Sequence, residues 1–267
     1  MIGFLADYEF VWGFQARVAG LSKTPPSFLY PPPTTFLGAL AEAIAKDYGI
    51  PERRGRELMA KISENLLAIG FRPLNCFPVK YMDINRILAV RITGGVLYPS
   101  PSDPAKSFDS PARGKTILCS LNDDAPKIRW FLIFRDGFNF SGSKIEISED
   151  HFWKVHRIGS KESVVSAVNV EKVEAKARSG IVYTNYSYPI EDGIKELEKN
   201  GRWEFEVYMN PYELSAESPV TLYLSGKKAL PFRIPIMRTS FAPESRVEVS
   251  KLVAYEAGSE VVVGWRR

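Results

Sequence analysis

The chain has 267 residues, 45% of them hydrophobic and 12% aromatic, enough for a sizeable core in one large domain or two small ones. A net charge of +4 and a pI near 8.9 permit a polyanionic partner without demanding one. The two cysteines, Cys76 and Cys119, lack CxxC spacing, which argues against a disulfide framework or a zinc site and fits a reducing cytosol.

The first residues carry no basic n-region, and Asp7 and Glu9 interrupt their apolar run, so no signal peptide is expected. The uncharged stretch 24–41 contains five prolines and several hydroxyls and does not read as a membrane span. A cytoplasmic protein is expected. Residues 2–14 alternate, with Ile2, Phe4, Ala6, Tyr8, Phe10, Trp12 and Phe14 on one face and Asp7, Glu9 and Gln15 on the other, which predicts a strand with one buried face. A Ser/Pro/Gly-rich loop covers 15–33. Thr34 or Thr35 then serves as N-cap for a helix carrying Phe36, Leu37, Leu40, Ile44 and Tyr48, which Gly49 and Pro51 end. A charged helix over 52–64 turns Leu58, Met59 and Ile62 inward, and extended structure resumes over 66–79.

Residues 83–115 change character, with a Gly-Gly pair, four prolines and five basic residues, and predict a protruding hairpin or long loop. Strand 128–134, a turn at 139–143, a short helix at 149–155, the loop "RIGSKES" and the strand "VVSAVNV" follow. Further strands are expected at 181–187, 203–209, 220–224, 232–237, 246–255 and 260–265. The sum is a strand-rich α+β chain that opens strand–helix–strand.

Four features bear on chemistry. The prolines of "FLYPPPTTFLG" stiffen the entry to the first helix, which is a sufficient structural role by itself. They also hold the preceding loop, with Arg17, Ser22 and Lys23 as donors. In "RIGSKES", Gly159 sits among Arg157, Ser160 and Lys161, offering open amides, hydroxyls and cations of the kind that cradle phosphate. An ordinary polar turn fits equally well, and the Walker spacing is absent. His151 and His156, five apart, do not share a helix face as a metal pair would, and no cluster completes a site, so neither metal nor cofactor is expected. In 83–115, basic residues including Arg86 and Arg91 interleave with Tyr98 and Phe108, a mixture suited to single-stranded nucleic acid or to a solvated loop.

The opening strand followed by "SFLYPPPTTFLGALAEAIAK" resembles the start of the Cas-five family of CRISPR-associated proteins, a branch of the RAMP superfamily. "RIGSKES" before a valine-rich strand is similar to that family's second half, most closely in the archaeal Csa (type I-A) subtype. The resemblance implies a ferredoxin-like (RRM-type) palm formed by 1–82 and 116–267, with a strand-rich C-terminal part, and an inserted β-hairpin or loop thumb at 83–115. It implies a subunit that caps a Cascade-like complex by gripping the crRNA 5′ handle and contacting the Cas-seven backbone subunit and the type I large subunit. One branch of the family cleaves precursor RNA with a Tyr and a Lys-His pair, and this sequence has no Lys-His dipeptide. The expectation is therefore a non-catalytic binder using Arg17, Ser22, Lys23, Arg86, Arg91, Arg157, Gly159, Ser160 and Lys161. Its rivals are a metal-independent endoribonuclease built on His156, Lys161 and Tyr30, and a protein-interaction module without RNA contact.

Overall fold

The structure, a computed structural model, describes residues 1–18, 25–84, 91–93, 96–98, 112–135, 137–216 and 219–265. Strands β1 (Ile2–Phe10) and β2 (Gly13–Phe14) precede helix α1 (Pro33–Asp47), a 3-10 turn (Glu52–Arg54) and α2 (Gly55–Asn65). Then come β3 (Leu66–Pro73), β4 (Cys76–Ile84), β5 (Arg91–Thr93), β6 (Val96–Tyr98), β7 (Ala112–Ser120), β8 (Lys127–Phe134), β9 (Phe138–Phe140), β10 (Ser143–Ile145), α3 (Glu149–Trp153) and β11 (Val165–Glu174). The C-terminal part holds β12 (Lys176–Thr184), β13 (Tyr188–Pro189), β14 (Ile194–Asn200), β15 (Arg202–Met209), α4 (Pro219–Leu224), β16 (Ala229–Ile236), β17 (Glu244–Ala257) and β18 (Glu260–Gly264).

The main sheet runs β11-β1-β8-β3-β18-β17-β12, with β14 also paired to β17. Its first four strands, joined through α1, α2 and α3, are antiparallel neighbours in the order of a ferredoxin-like β-α-β-β-α-β unit. The expected palm is thus present, extended through β18 into the C-terminal strands. Two three-stranded sheets, β2-β7-β4 and β13-β16-β15, and two two-stranded ones, β9-β10 and β5-β6, accompany it among the described residues. Most of 83–115 lies outside the described residues; its ends pair as the strands β4 and β7, with Ile84 opposite Ala112.

Helices α1 and α3 cover one face of the sheet. Phe36 stacks on Trp130 (centroids 4.4 Å apart), Phe152 stacks on Phe4 (4.7 Å), and the Tyr8 hydroxyl donates to the Phe152 carbonyl (2.7 Å). The other face packs Leu5, Phe131 and Ile133 against Tyr186, Val253 and Val262. The first strand is therefore central and buried on both faces, contrary to its expected single buried face, and it breaks at Val11-Trp12 instead of running to Phe14. Asp7 is tolerated inside because its cross-strand neighbour Arg129 donates to both carboxylate oxygens (2.6 and 2.8 Å). Arg129 also donates to Glu260, which accepts from Arg72 and the Tyr186 hydroxyl.

Other expectations need correction. Neither Thr34 nor Thr35 caps α1. Pro32 is the N-cap, extended at ψ 149°, because the residue before a proline is pushed out of the helical region, and Pro33 begins the helix with its φ already set. Tyr48 is not on the buried stripe; it ends the helix, exposed, with its ring stacked near His151. Met59 is only partly buried. Residues 220–224 are helix, not strand, since Pro219 supplies a helical first position that outweighs the alternating apolar pattern. The charged segment "IKELEKN" forms β14, which the sequence reading missed. Its Glu196 accepts from Arg233 (2.7 and 3.0 Å), Lys199 and Tyr188, giving the strand an electrostatic anchor in place of apolar alternation.

Truncating Phe36 to Ala is expected to lower stability by about 3–5 kcal/mol, read from denaturant unfolding, because a fully buried aromatic leaves a cavity against Trp130. Burial would raise the Glu196 carboxyl, yet Arg233, Lys199 and Tyr188 outweigh it and hold its pKa at about 2, below the ordinary 4.5. A depressed folded pKa gives stability that is present above the ordinary value and lost as pH falls through the folded one. Glu196→Gln should therefore be less stable than wild type near neutrality, with the two unfolding midpoints converging between pH 4.5 and about 2. A gap constant across that window would show that the carboxylate is not coupled to folding.

Candidate nucleic-acid interface

The chain leaving β2 doubles back on the segment that leads into α1. Val18 N donates to Pro26 O (2.9 Å), Phe28 N to Ala16 O (3.2 Å) and Ser27 Oγ to Ala16 O (3.2 Å), with Arg17 and Ser27 forming an isolated antiparallel bridge. Both ends of the first loop are thereby fixed; Ser22 and Lys23 lie outside the described residues. Leu29 N then donates to both Glu206 carboxylate oxygens (2.8 and 2.9 Å), Tyr30 is fully buried, and Pro31, Pro32 and Pro33 follow, also buried. The stiff entry suspected from the prolines is real, and its anchor is a carboxylate that sequence reading did not single out.

The second loop closes on the first. Ser160 N donates to Gln15 O (3.1 Å), Gln15 N to Ser163 Oγ (3.0 Å) and Trp12 Nε1 to Glu162 O (2.7 Å). Gly159 holds φ +126°, and a Cβ there would stand 2.8 Å from Ser163 Oγ and 3.0 Å from Gln15 O, so only glycine fits. This revises the cradle read from sequence. The Ser160 amide serves Gln15 and its hydroxyl donates to Glu162 Oε2 (2.7 Å), so both hold the loop together. Arg157 pairs with Glu42 of α1 (3.0 Å) and does not line the cleft described next.

The two loops and the start of α1 enclose a cleft of about 620 Å³. Gln15, Arg17, Gly159, Ser160, Lys161 and the acidic Glu162 contribute its polar lining together with Thr34 and Thr35 in the first turn of α1; Phe28, Met209 and Tyr223 contribute its apolar lining. That first turn has no acidic residue and no side-chain cap, so the positive end of the helix dipole is left unscreened. Arg17 and Lys161 are exposed and make no ion pair among the described residues, whereas Lys46, Lys154 and Arg157 nearby are each paired with a carboxylate. Cations, amide dipole and aromatic surface together suit a single nucleic-acid strand.

Of the residues named from sequence, Arg17, Gly159, Ser160 and Lys161 come together here. Arg157 does not, Arg86 lies outside the described residues, and Arg91 is described only as the backbone of β5, paired with β6. Tyr223 was missed because its segment reads as a strand; its hydroxyl donates to Val207 O (3.0 Å), fixing the ring from β15. Of the residues in the nuclease reading, Lys161 alone lines the cleft. Tyr30 is buried away from the cleft, its hydroxyl raised well above the ordinary value, chiefly by burial, and His156 is not among the lining residues. Among the described residues no group of His, Cys, Asp and Glu could hold a metal ion, and no helix is long and apolar enough to cross a membrane.

No family model matches the chain. It is similar to a "CRISPR system aCascade subunit Cas5 1" of Saccharolobus solfataricus, 30% identical over 269 residues, which covers 94% of this chain and 95% of that protein. A second Saccharolobus solfataricus protein, "CRISPR-associated protein Cas5 3", is 29% identical over 94% of this chain and 95% of its own length. Among solved structures, a CRISPR protein from Archaeoglobus fulgidus superposes with a TM-score of 0.76 at 55% identity, covering the whole of both chains. The ferredoxin-like palm and the full-length similarity to these relatives converge: the chain belongs to the Cas5 family of CRISPR-associated proteins.

Proposed function

We propose that this protein is a subunit of a Cascade-type CRISPR interference complex that grips the 5′ handle of the crRNA without cutting it. The observation that carries this reading is the convergence of two loops, far apart in sequence, on one cleft where Arg17 and Lys161, which make no ion pair among the described residues, lie beside the start of α1. A relative named as an aCascade subunit supports the assembly context. The handle's phosphates would lie along Arg17, Lys161 and the Thr34-Thr35 turn, and its unstacked bases against the apolar lining. In this reading 83–115 is a thumb carried by the β4–β7 ribbon, and the Cas-seven backbone subunit and the large subunit are the protein partners. The non-catalytic half of the proposal is favoured by Tyr30, which is fully buried and does not line the cleft, and by the absence of His156 from the cleft lining. A general base and acid need to meet at one 2′-hydroxyl.

The test is affinity for an RNA copied from the host's CRISPR repeat, measured against salt concentration. Each phosphate contact on a single strand contributes roughly −0.7 to the log–log slope, so Arg17→Ala/Lys161→Ala should flatten it by about one to one and a half. The loss should be similar for any handle sequence, because phosphate contacts carry no base information. Arg157→Ala serves as the control: its guanidinium braces Glu42, so the slope should hold. An unchanged slope in the double variant would remove the cleft from the RNA site. Separately, incubating the protein with repeat RNA in EDTA should leave the RNA intact on a denaturing gel; discrete cleavage that disappears in His156→Ala would establish the nuclease instead.

A further inference from the structure

Glu206 is 9% exposed, and its two oxygens accept from Leu29 N (2.8 and 2.9 Å), Lys80 Nζ (2.7 Å) and the Tyr208 hydroxyl (3.0 Å). A buried carboxylate is costly, and an apolar side chain of similar size would fill the same space at least as well. What the carboxylate supplies is an acceptor. Pro31, Pro32 and Pro33 have no N–H, so the chain entering α1 cannot be held by backbone donors over those three residues. It has to be fixed from just upstream, and Leu29 is where Glu206 takes hold.

Fixing Leu29 has consequences on both sides. Phe28, next to it, lines the cleft; its amide is held by Ala16 O and its carbonyl by Thr116 Oγ1 (2.5 Å). Through the same short ladder Arg17 is seated opposite Ser27. Lys80 and Thr116 are cross-strand partners on the β4–β7 ribbon. The ribbon backbone also lies against the loop: Gly114 N donates to Pro25 O (3.2 Å), and a Cβ on Gly114 would fall 2.3 Å from Ser27 N. Glu206 thus stands where β15, the ribbon and the proline entry meet. We infer that Glu206 is a positioning residue for RNA binding: by holding the Leu29 amide it sets where Arg17 and Phe28 present themselves in the cleft, and through Lys80 it ties that placement to the ribbon. This inference rests on the RNA-binding reading of the cleft.

The test is a double-mutant cycle on the full chain, read as affinity for the repeat-derived RNA beside a melting curve. Glu206→Ala removes the acceptor, Glu206→Asp withdraws it by one methylene, and Glu206→Gln keeps an acceptor oxygen while removing the charge. Losing a hydrogen bond accepted by a charged group is large enough that Ala and Asp should each weaken binding about tenfold, with Gln restoring most of it. Because Glu206 acts in part through Arg17, combining Glu206→Ala with Arg17→Ala should lose less than the product of the two single losses, whereas an unrelated packing defect would multiply with it. If the Ala variant does not fold, Asp against Gln makes the same comparison. Binding insensitive to all three variants, equal losses for Asp and Gln, or losses that multiply with Arg17→Ala would overturn the inference and leave the RNA reading standing. Failure of the wild-type chain to hold the RNA would overturn that reading and this inference with it.

Discussion

The antiparallel pairing of Phe10 with Val165 decides where the candidate cleft forms. In an antiparallel pair, the end of one strand adjoins the beginning of the other. Whatever follows β1 must therefore meet whatever precedes β11, although about 150 residues of chain separate them. Val11 N to Val164 O continues the pairing by one step, and Trp12, Gln15, Ser160 and Ser163 complete it with a mixture of backbone and side-chain bonds. Helix α1 enters at that same end because it is the crossover that leaves β1. The cleft is thus the product of the ferredoxin-like strand order, which brings Arg17 and Lys161, without an ion pair among the described residues, to the same end of the sheet.

Charge alone would not have located the site. A net charge of +4 spread over 35 basic and 31 acidic residues marks no face. The informative contrast is between cations that are neutralised and cations that are not. Arg129 and Arg72 are spent on Asp7 and Glu260 across the sheet, Lys154 on Asp47, Arg157 on Glu42. Arg17 and Lys161 stand beside a helix start that carries no acidic residue. One carboxylate, Glu162, also lines the cleft, where it accepts from the Ser160 hydroxyl, and at the dipole's positive end the attraction of the two cations and of the helix start for a phosphate add.

Much of this was legible in the sequence, and the parts that were not share a cause. Local pattern gave the buried stripe of α1 through Phe36, Leu40 and Ile44, the strand at 128–134 and the turn around Ser141-Gly142. What failed depended on a partner distant in the chain. Arg157 looks like a phosphate ligand until Glu42 is seen beside it. Ser160 looks like a free hydroxyl until the loop closes and gives it to Glu162. Asp7 reads as solvent-facing because period-two alternation cannot show that a strand is central, with Arg129 opposite. Glu206 lies in "WEFEVYM", where alternating carboxylates suggest a solvated face; nothing local says that one of them is buried under an amide 177 residues away. Tyr223 was lost with its helix, since five residues of β-branched and aliphatic character outvoted a single proline.

The prolines then acquire a thermodynamic meaning. Ordering one residue's backbone costs about 1–2 kcal/mol, and a loop that freezes only on binding RNA takes that cost out of its affinity. Three consecutive prolines reduce that cost for the segment entering α1 by fixing φ there in the unbound chain. They also remove three N–H donors, so the stiffened segment is held by the packing of its rings and by its carbonyls but not by any backbone donor of its own. Rigidity without attachment would give a stiff arm in the wrong place as readily as in the right one. The bonds that set its direction have to come from flanking residues: Phe28 through Ala16 and Thr116, and Leu29 through Glu206. A buried carboxylate, which packing does not require, becomes intelligible on that ground. The stiffer the entry, the more the geometry of the whole cleft depends on the few hydrogen bonds just upstream of it.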